Sequence, residues 1–301
     1  MVFRVMKMKR YALILAILFC GGLLLLHPET VSAAVRGALS LCAGTVIPSL
    51  FPFFVVVSLL LQLGSAGFLQ GIFAPLMGPL FRMQGQCALP LLTGLLGGYP
   101  TGAKTAWELY QQGQISRGEA ERLLGFCNNC GCAFLLSFVG SSVLGSPEAG
   151  MRLFAVHALS AILTGVILCR LPRGKEPPML PVNLPARQIS FPQALTGAVA
   201  SALSSTGNVC AFVALFRVIA ALLPGDVPVW ELGVLEMVSG TAALAPGRTG
   251  FVLAAGMVGW GGLCVHCQAM ALAPGLSFRW HLPGKALQAV LSILLALAVG
   301  G

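Results

Sequence analysis

Hydrophobic residues run along this chain in long, nearly unbroken stretches. The pattern is neither the alternation of a half-buried strand nor the one-sided stripe of a water-soluble helix. A helix crosses a bilayer with about 20 apolar residues. Stretches of that kind fall at 11–27, 39–63, 123–145, 151–171, 194–223, 251–274 and 284–300, and each reads as a spanning helix. Two more apolar regions, 87–110 and 229–247, are interrupted by Gly, Pro and Thr and read as broken elements. Residues 66–83 carry Pro75 and Pro79 and read as a segment lying at the membrane interface.

The interruption in "LLTGLLGGYPTGAKTAWEL" (91–109) sets the functional question. Gly97, Gly98 and Pro100 free the backbone, Thr101 stands where a residue caps the returning helix, and Gly102 and Lys104 follow in its first turn. Lipid offers no hydrogen bonds, so broken backbone at membrane depth must be covered by protein or line a cavity. Half-helix N-termini there present N–H groups and a positive dipole end to a ligand.

A second break rhymes with the first. "VWELGVLEMVSGTAALAPG" (229–247) holds Glu236, Ser239 and Thr241, with Glu236 placed to bind a cation or pair with Arg248. Each break precedes a polar apolar-flanked run: "GFCNNCGCAFLLSF" (125–138), with Asn128 and Asn129, and "GMVGWGGLCVHCQAMAL" (256–272), with Gly261, Gly262, His266 and Gln268. Paired interruptions in two halves point to a transporter's binding site. The two asparagine amides suit a neutral polar ligand, and His266 has the titration range of a proton-coupling group. Each of these residues also has a plainer reading, in close glycine packing, helix–helix hydrogen bonds or a lysine reaching the interface.

Composition agrees with the pattern. The chain has 301 residues, 57% hydrophobic and 9% charged, where soluble domains carry about a quarter charged residues. Lys and Arg number 18 against nine acidic residues, but they fall mostly between the apolar segments and set topology rather than bind nucleic acid. The expected fold is therefore all-α: a polytopic integral membrane protein, an inverted repeat with re-entrant hairpins and discontinuous helices.

The organisation read from the sequence is an N-terminal transmembrane anchor at 1–36, a first repeat at 37–171, a basic Pro-rich cytoplasmic linker at 172–190 and a second repeat at 191–301. The basic start of the chain places its N-terminus in the cytoplasm of a multi-pass cell-membrane protein. A cleaved signal peptide is the competing reading, from the small residues of "TVSAAV" (30–35). In the same topology Arg117 and Arg122 occupy a cytoplasmic loop, and Arg279 and Lys285 fall on the cytoplasmic side.

Ten cysteines lie mainly inside apolar stretches and read as small packing residues. Cys127, Cys130 and Cys132 against Cys264, His266 and Cys267 have the ligand types of a zinc site, but a CxxC on a membrane helix lacks knuckle geometry. No metal, cofactor or catalytic constellation is expected: HExxH, GxSxG and the phosphate-binding fingerprints are all missing from the sequence. The expected partners are the lipid bilayer and a small polar solute; a homo-oligomer stays open.

Three runs, "PSLFPFFVVVSLLL" (48–61), "GGYPTGAKTAWELYQQGQISRGEAERLLGFCNN" (97–129) and "GWGGLCVHCQ" (259–268), resemble the YlbJ family of sporulation integral membrane proteins, grouped with the nucleoside-recognition or gate domains. The resemblance spans roughly residues 40–285. It implies a multi-span membrane protein needed in spore formation, with a transport-like role. By motif it points to Gly98, Pro100, Gly102, Lys104, Asn128, Asn129, Gly261, Gly262, His266 and Gln268. The cysteines at 130, 132, 264 and 267 depart from the small or polar residues expected there. Two functions follow: a solute transporter or permease with its site at the two breaks, or a non-transporting membrane scaffold for spore-envelope assembly.

Overall fold

The computed structural model describes residues 2–63, 65–171 and 190–299. Helix accounts for the regular structure of these residues. The chain opens with α1 (Val2–Leu26) and α2 (Pro28–Leu41), which meet at a 92° bend beside His27 and Pro28. A π-helical turn at Cys42–Val46 carries α2 on into α3 (Ile47–Gln62). Next come α4 (Ser65–Phe81), α5 (Ala88–Gly97), α6 (Thr101–Gln111) and α7 (Arg117–Leu123). A π-helical stretch, Phe134–Val143, leads to α8 (Pro147–Arg170). The second half holds α9 (Phe191–Ala221), α10 (Val229–Leu235), α11 (Met237–Ala242), α12 (Arg248–Trp260), α13 (Gly262–Leu272) and α14 (His281–Val299).

Among the described residues four elements are long and apolar enough to cross a bilayer: α8, α9, the pair α12–α13 taken together, and α14. The bent pair α1–α2 supplies a fifth if it is one span. The protein is thus an all-helical polytopic membrane protein. Exposed leucines, isoleucines and phenylalanines such as Leu25, Phe53, Leu203 and Leu294 face outward, where lipid rather than water receives them.

Two layers frame the molecule. α9 packs along α2 and α3, while α8, α12, α14 and the π-helical stretch pack on one another. The expected breaks form two helical hairpins: α5 packs on α6 across Gly98–Pro100, and α10 packs on α11 across Glu236. α12 and α13 are one span broken at Gly261.

Several expectations change. Residues 123–145 do not form a span: α7 ends at Leu123, residues 124–131 are unwound, and the π-helical stretch that follows is short. The reason lies outside the segment. Backbone passes so close to backbone here that a Cβ on Gly94 or Gly102 would collide with the Cys127 carbonyl, so the glycines of the first hairpin clear a path for extended chain. Arg122 is not a loop residue. It is buried in α7 and donates to the carbonyls of Leu168 (2.5 Å) and Leu171 (3.3 Å), closing the C-terminus of α8. The segment 66–83 carries α4, whose Met77 and Phe81 enter a buried cluster with Leu123 and Phe126. The Pro-rich linker lies outside the described residues except for Ser190, which caps α9.

Candidate functional site

The centre of the molecule is built around the unwound residues 124–131. Unwinding frees backbone groups that a helix would have satisfied internally, and in an apolar interior each must find a partner. Side chains of α14 and α8 supply them. His281 Nδ1 bonds the Leu124 carbonyl (2.7 Å), and Lys285 Nζ donates to the Asn128 carbonyl (3.0 Å). Gln288 Nε2 donates to Asn129 Oδ1 (2.9 Å), and His157 Nε2 accepts from the Cys130 N–H (3.0 Å). Ser292 donates to Ser160 (2.8 Å) and ties the two helices together.

The four α14 residues fall at 281, 285, 288 and 292, spacings of four, three and four that place them on one helix face. All four are buried, Lys285 completely. Its Nζ also bonds Gln288 Oε1 (2.7 Å) and lies 5.4 Å from the centre of the Tyr99 ring. Lys285, read from the sequence as a topology-setting charge, stands buried in the polar network.

The second break is satisfied from the acceptor side. Glu236 is buried and turns its carboxylate onto the start of α11, accepting from Val238 N (2.8 Å) and Ser239 N (2.6 Å). An anion at a helix N-terminus meets both the free N–H groups and the positive dipole end. Glu236 does not pair with Arg248, which is exposed and donates to the Leu297 carbonyl at the far end of α14 (3.4 Å).

The two breaks meet. Tyr99, at the tip of the first hairpin, donates to the Val258 carbonyl of α12 (3.2 Å). Gly261 has φ of 91°, and a Cβ there would press on the Tyr99 hydroxyl, so both the backbone conformation and the contact call for glycine. Gly262 lies just as close to the backbone of Leu235 to Met237.

Between them is a narrow cavity of about 40 Å³. Its wall includes Gly97 to Tyr99, Cys130 and Gly131, Glu236 to Val238, and Cys264, Val265 and Gln268 of α13, with Phe53, Phe54 and Phe134 as the aromatic side. That volume has room for roughly three waters.

The residues singled out from the sequence divide accordingly. Gly98, Glu236 and Gln268 line the cavity; Gly261 and Gly262 lie behind its wall, against Tyr99 and Met237. Asn129 is consumed in holding the unwound segment, its Nδ2 on the Phe126 carbonyl (2.8 Å). Asn128 is completely buried, with neither side-chain atom partnered. Gln268 Oε1, Ser239 Oγ and His266 Nε2 are likewise buried and unpartnered. His266 Nδ1 bonds His281 Nε2 (3.0 Å). Because the Leu124 carbonyl can only accept, neutral rings place a proton on Nδ1 of each histidine and leave His266 Nε2 a bare acceptor.

Thr241 spends its hydroxyl on the Met237 and Val238 carbonyls. Thr101 does not cap α6. Pro100 holds the cap position, and the Thr101 hydroxyl donates to the carbonyls of Gly98 (2.6 Å) and Thr93 (2.7 Å), stitching the two arms of the hairpin. Lys104 points away from all of this, half exposed and 3.9 Å from Glu108. The cysteines at 127, 130, 264 and 267 do not gather with any His, Asp or Glu into a group of three or more that could hold a metal among the described residues.

Tyr99, His157, His281, Lys285 and Gln288 escaped the sequence reading. The signal that finds the last three is the spacing H-x3-K-x2-Q-x3-S along α14, a polar stripe inside an apolar helix; no local pattern marks Tyr99 or His157.

Comparison with known proteins agrees with this architecture. Among characterised proteins, the chain is similar to the sporulation integral membrane protein YlbJ of Bacillus subtilis (strain 168), 33% identical over 159 residues. That match covers 53% of this chain and 39% of the relative's length. No solved structure matches the chain. The family model described as "Gate: Nucleoside recognition" matches residues 43–222, well over half of the chain and inclusive of the first hairpin and the unwound segment. The chain belongs to the nucleoside-recognition gate family.

Proposed function

We propose that this chain is a membrane transporter of a small polar solute, nucleoside-like in size and hydrogen-bonding character, acting in spore formation. The observation that carries the reading is the single cavity walled by both hairpin breaks, the unwound segment and α13. A site shared by two interrupted halves is the arrangement expected of alternating access. In this reading the two halves are inverted with respect to each other in the membrane.

The chemistry of the wall supports a polar ligand with hydrogen-bond donors. The Glu236 carboxylate and the unpartnered Gln268 Oε1 are both acceptors, and the phenylalanines offer an apolar face for a ring. Asn128 lies two residues from the wall, with a free amide that engages the solute when the segment shifts. Room for about three waters means a nucleoside enters only after the hairpins part, so the described conformation is the closed one. The family name and the sporulation role printed for the B. subtilis relative agree with this reading.

A thermal-shift screen of the detergent-purified protein against nucleosides, nucleobases and amino acids tests it. A ligand at roughly 100 times its dissociation constant adds about 2.7 kcal/mol to the native state. The expected result is a shift that Gln268→Ala abolishes. A well-folded sample that no ligand stabilises would leave the scaffold role in spore-envelope assembly as the function.

A further inference from the structure

Lys285 has a feature that the solute site does not use. The groups that face it are Tyr99 from the first hairpin, Cys127 and Cys130 from the unwound segment, His157 from α8, His266 from α13 and His281 from its own helix. None is a carboxylate. The described ion pairs, Lys104–Glu108, Arg117–Glu121 and Arg279–Glu121, serve other cations. An ammonium buried without a counter-charge costs several kcal/mol, a cost the neutral amine does not carry.

The hydrogen bonds fit both forms. Two acceptors, the Asn128 carbonyl and Gln288 Oε1, require two N–H donors, and an amine and an ammonium each have two to give. The Tyr99 ring completes the surround: it attracts a cation and asks nothing of an amine. What changes with the proton is the strength of the grip, since a charged donor holds an acceptor about twice as strongly as a neutral one.

We propose that Lys285 is a reversible proton-binding site whose protonation sets how firmly α14 holds the unwound segment, so that movement of the cavity wall is coupled to protons. The coupling half of this rests on the transport reading above. On deprotonation one N–H bond of the ammonium breaks, its electron pair stays on Nζ, and the proton passes to water that reaches the cavity edge at Tyr99. Protonation is the reverse. Tyr99 is the natural passage because it both lines the cavity and covers Nζ.

Two measurements decide it. In protein labelled with 15N-lysine, the Nζ resonance that disappears in Lys285→Arg should move reversibly between its ammonium and amine positions between about pH 5 and about pH 10. A resonance fixed in one form until the protein unfolds would overturn the proposal. In liposomes, uridine and adenosine serve as probes under an imposed proton gradient or an imposed sodium gradient. The proton gradient should drive accumulation in the parent protein and fail in Lys285→Arg, whose guanidinium keeps its charge and donors at every working pH. Equal accumulation by the two proteins, or accumulation driven by sodium alone, would defeat proton coupling. No accumulation under any gradient would defeat the transport reading instead, while the resonance still decides whether Lys285 exchanges a proton.

Discussion

The two breaks in this protein solve one problem with opposite hydrogen-bonding groups. At residues 124–131 the exposed groups include carbonyl oxygens, and a donor, Lys285, reaches across from another helix to meet one of them. At residue 236 the exposed groups are the N–H groups of a helix start, and an anion, Glu236, folds back from the adjoining residue to meet two of them. The first solution is long-range and needs α14 and α8 in place; the second is local and travels with its hairpin. The difference teaches that a break is defined by which backbone groups it strands. Carbonyls call for donors and N–H groups for acceptors, and the side chain chosen follows.

The comparison can be broken hardest at the glycines. Gly102→Val places a side chain against the Cys127 carbonyl, where only rigid backbone could yield. It should cost more than about 3 kcal/mol and give little monodisperse protein in detergent, read by size-exclusion chromatography and thermal midpoint. Next come the two breaks' supports. Glu236→Ala leaves two buried N–H groups unpaired, and Gln288→Leu takes an acceptor from Lys285 and a donor from Asn129. Each should cost about 2–4 kcal/mol. Because one acts locally and the other across the bundle, the double variant should be additive within about 0.5 kcal/mol; a larger coupling would mean that Tyr99 transmits between the breaks. His157→Leu strands only the Cys130 N–H and should cost about 1–3 kcal/mol. At the bottom of the scale, Lys104→Ala removes an exposed ion pair and should change the midpoint by less than the equivalent of about 0.5 kcal/mol. A greater loss there would move Lys104 back into the functional site.

Much of the architecture was legible because proline and glycine announce it. The interruptions at Gly97–Pro100, in 229–247 and at Gly261 all fall where the residues indicated, and the spans at 151–171, 194–223 and 251–274 match α8, α9 and α12–α13 closely. The unwound segment was hidden for a physical reason. "GFCNNCGCAFLL" is apolar enough to continue a helix, and what accommodates the unwound chain is its close approach to Gly94 and Gly102, about 25–35 residues earlier in the chain, a contact no local pattern encodes. Lys285 was hidden by its place near the start of an apolar helix, where a lysine ordinarily reaches for the interface. Its meaning emerges only with Gln288 and Ser292 on the same face. Glu236, by contrast, was visible as a lone acid in an apolar region, although its partners are N–H groups rather than the arginine that charge alone suggested.

The stripe on α14 also gives the making of this protein a direction. His281, Lys285 and Gln288 each bond a residue that lies 157 to 159 positions earlier in the chain, and Ser292 one that lies 132 earlier. A ribosome delivers residues 124–131 and their stranded backbone groups long before it delivers the helix that satisfies them. α14 is thus the keystone of this seam: until it is in place, the carbonyls of Leu124 and Asn128 lack the partners that the folded protein gives them.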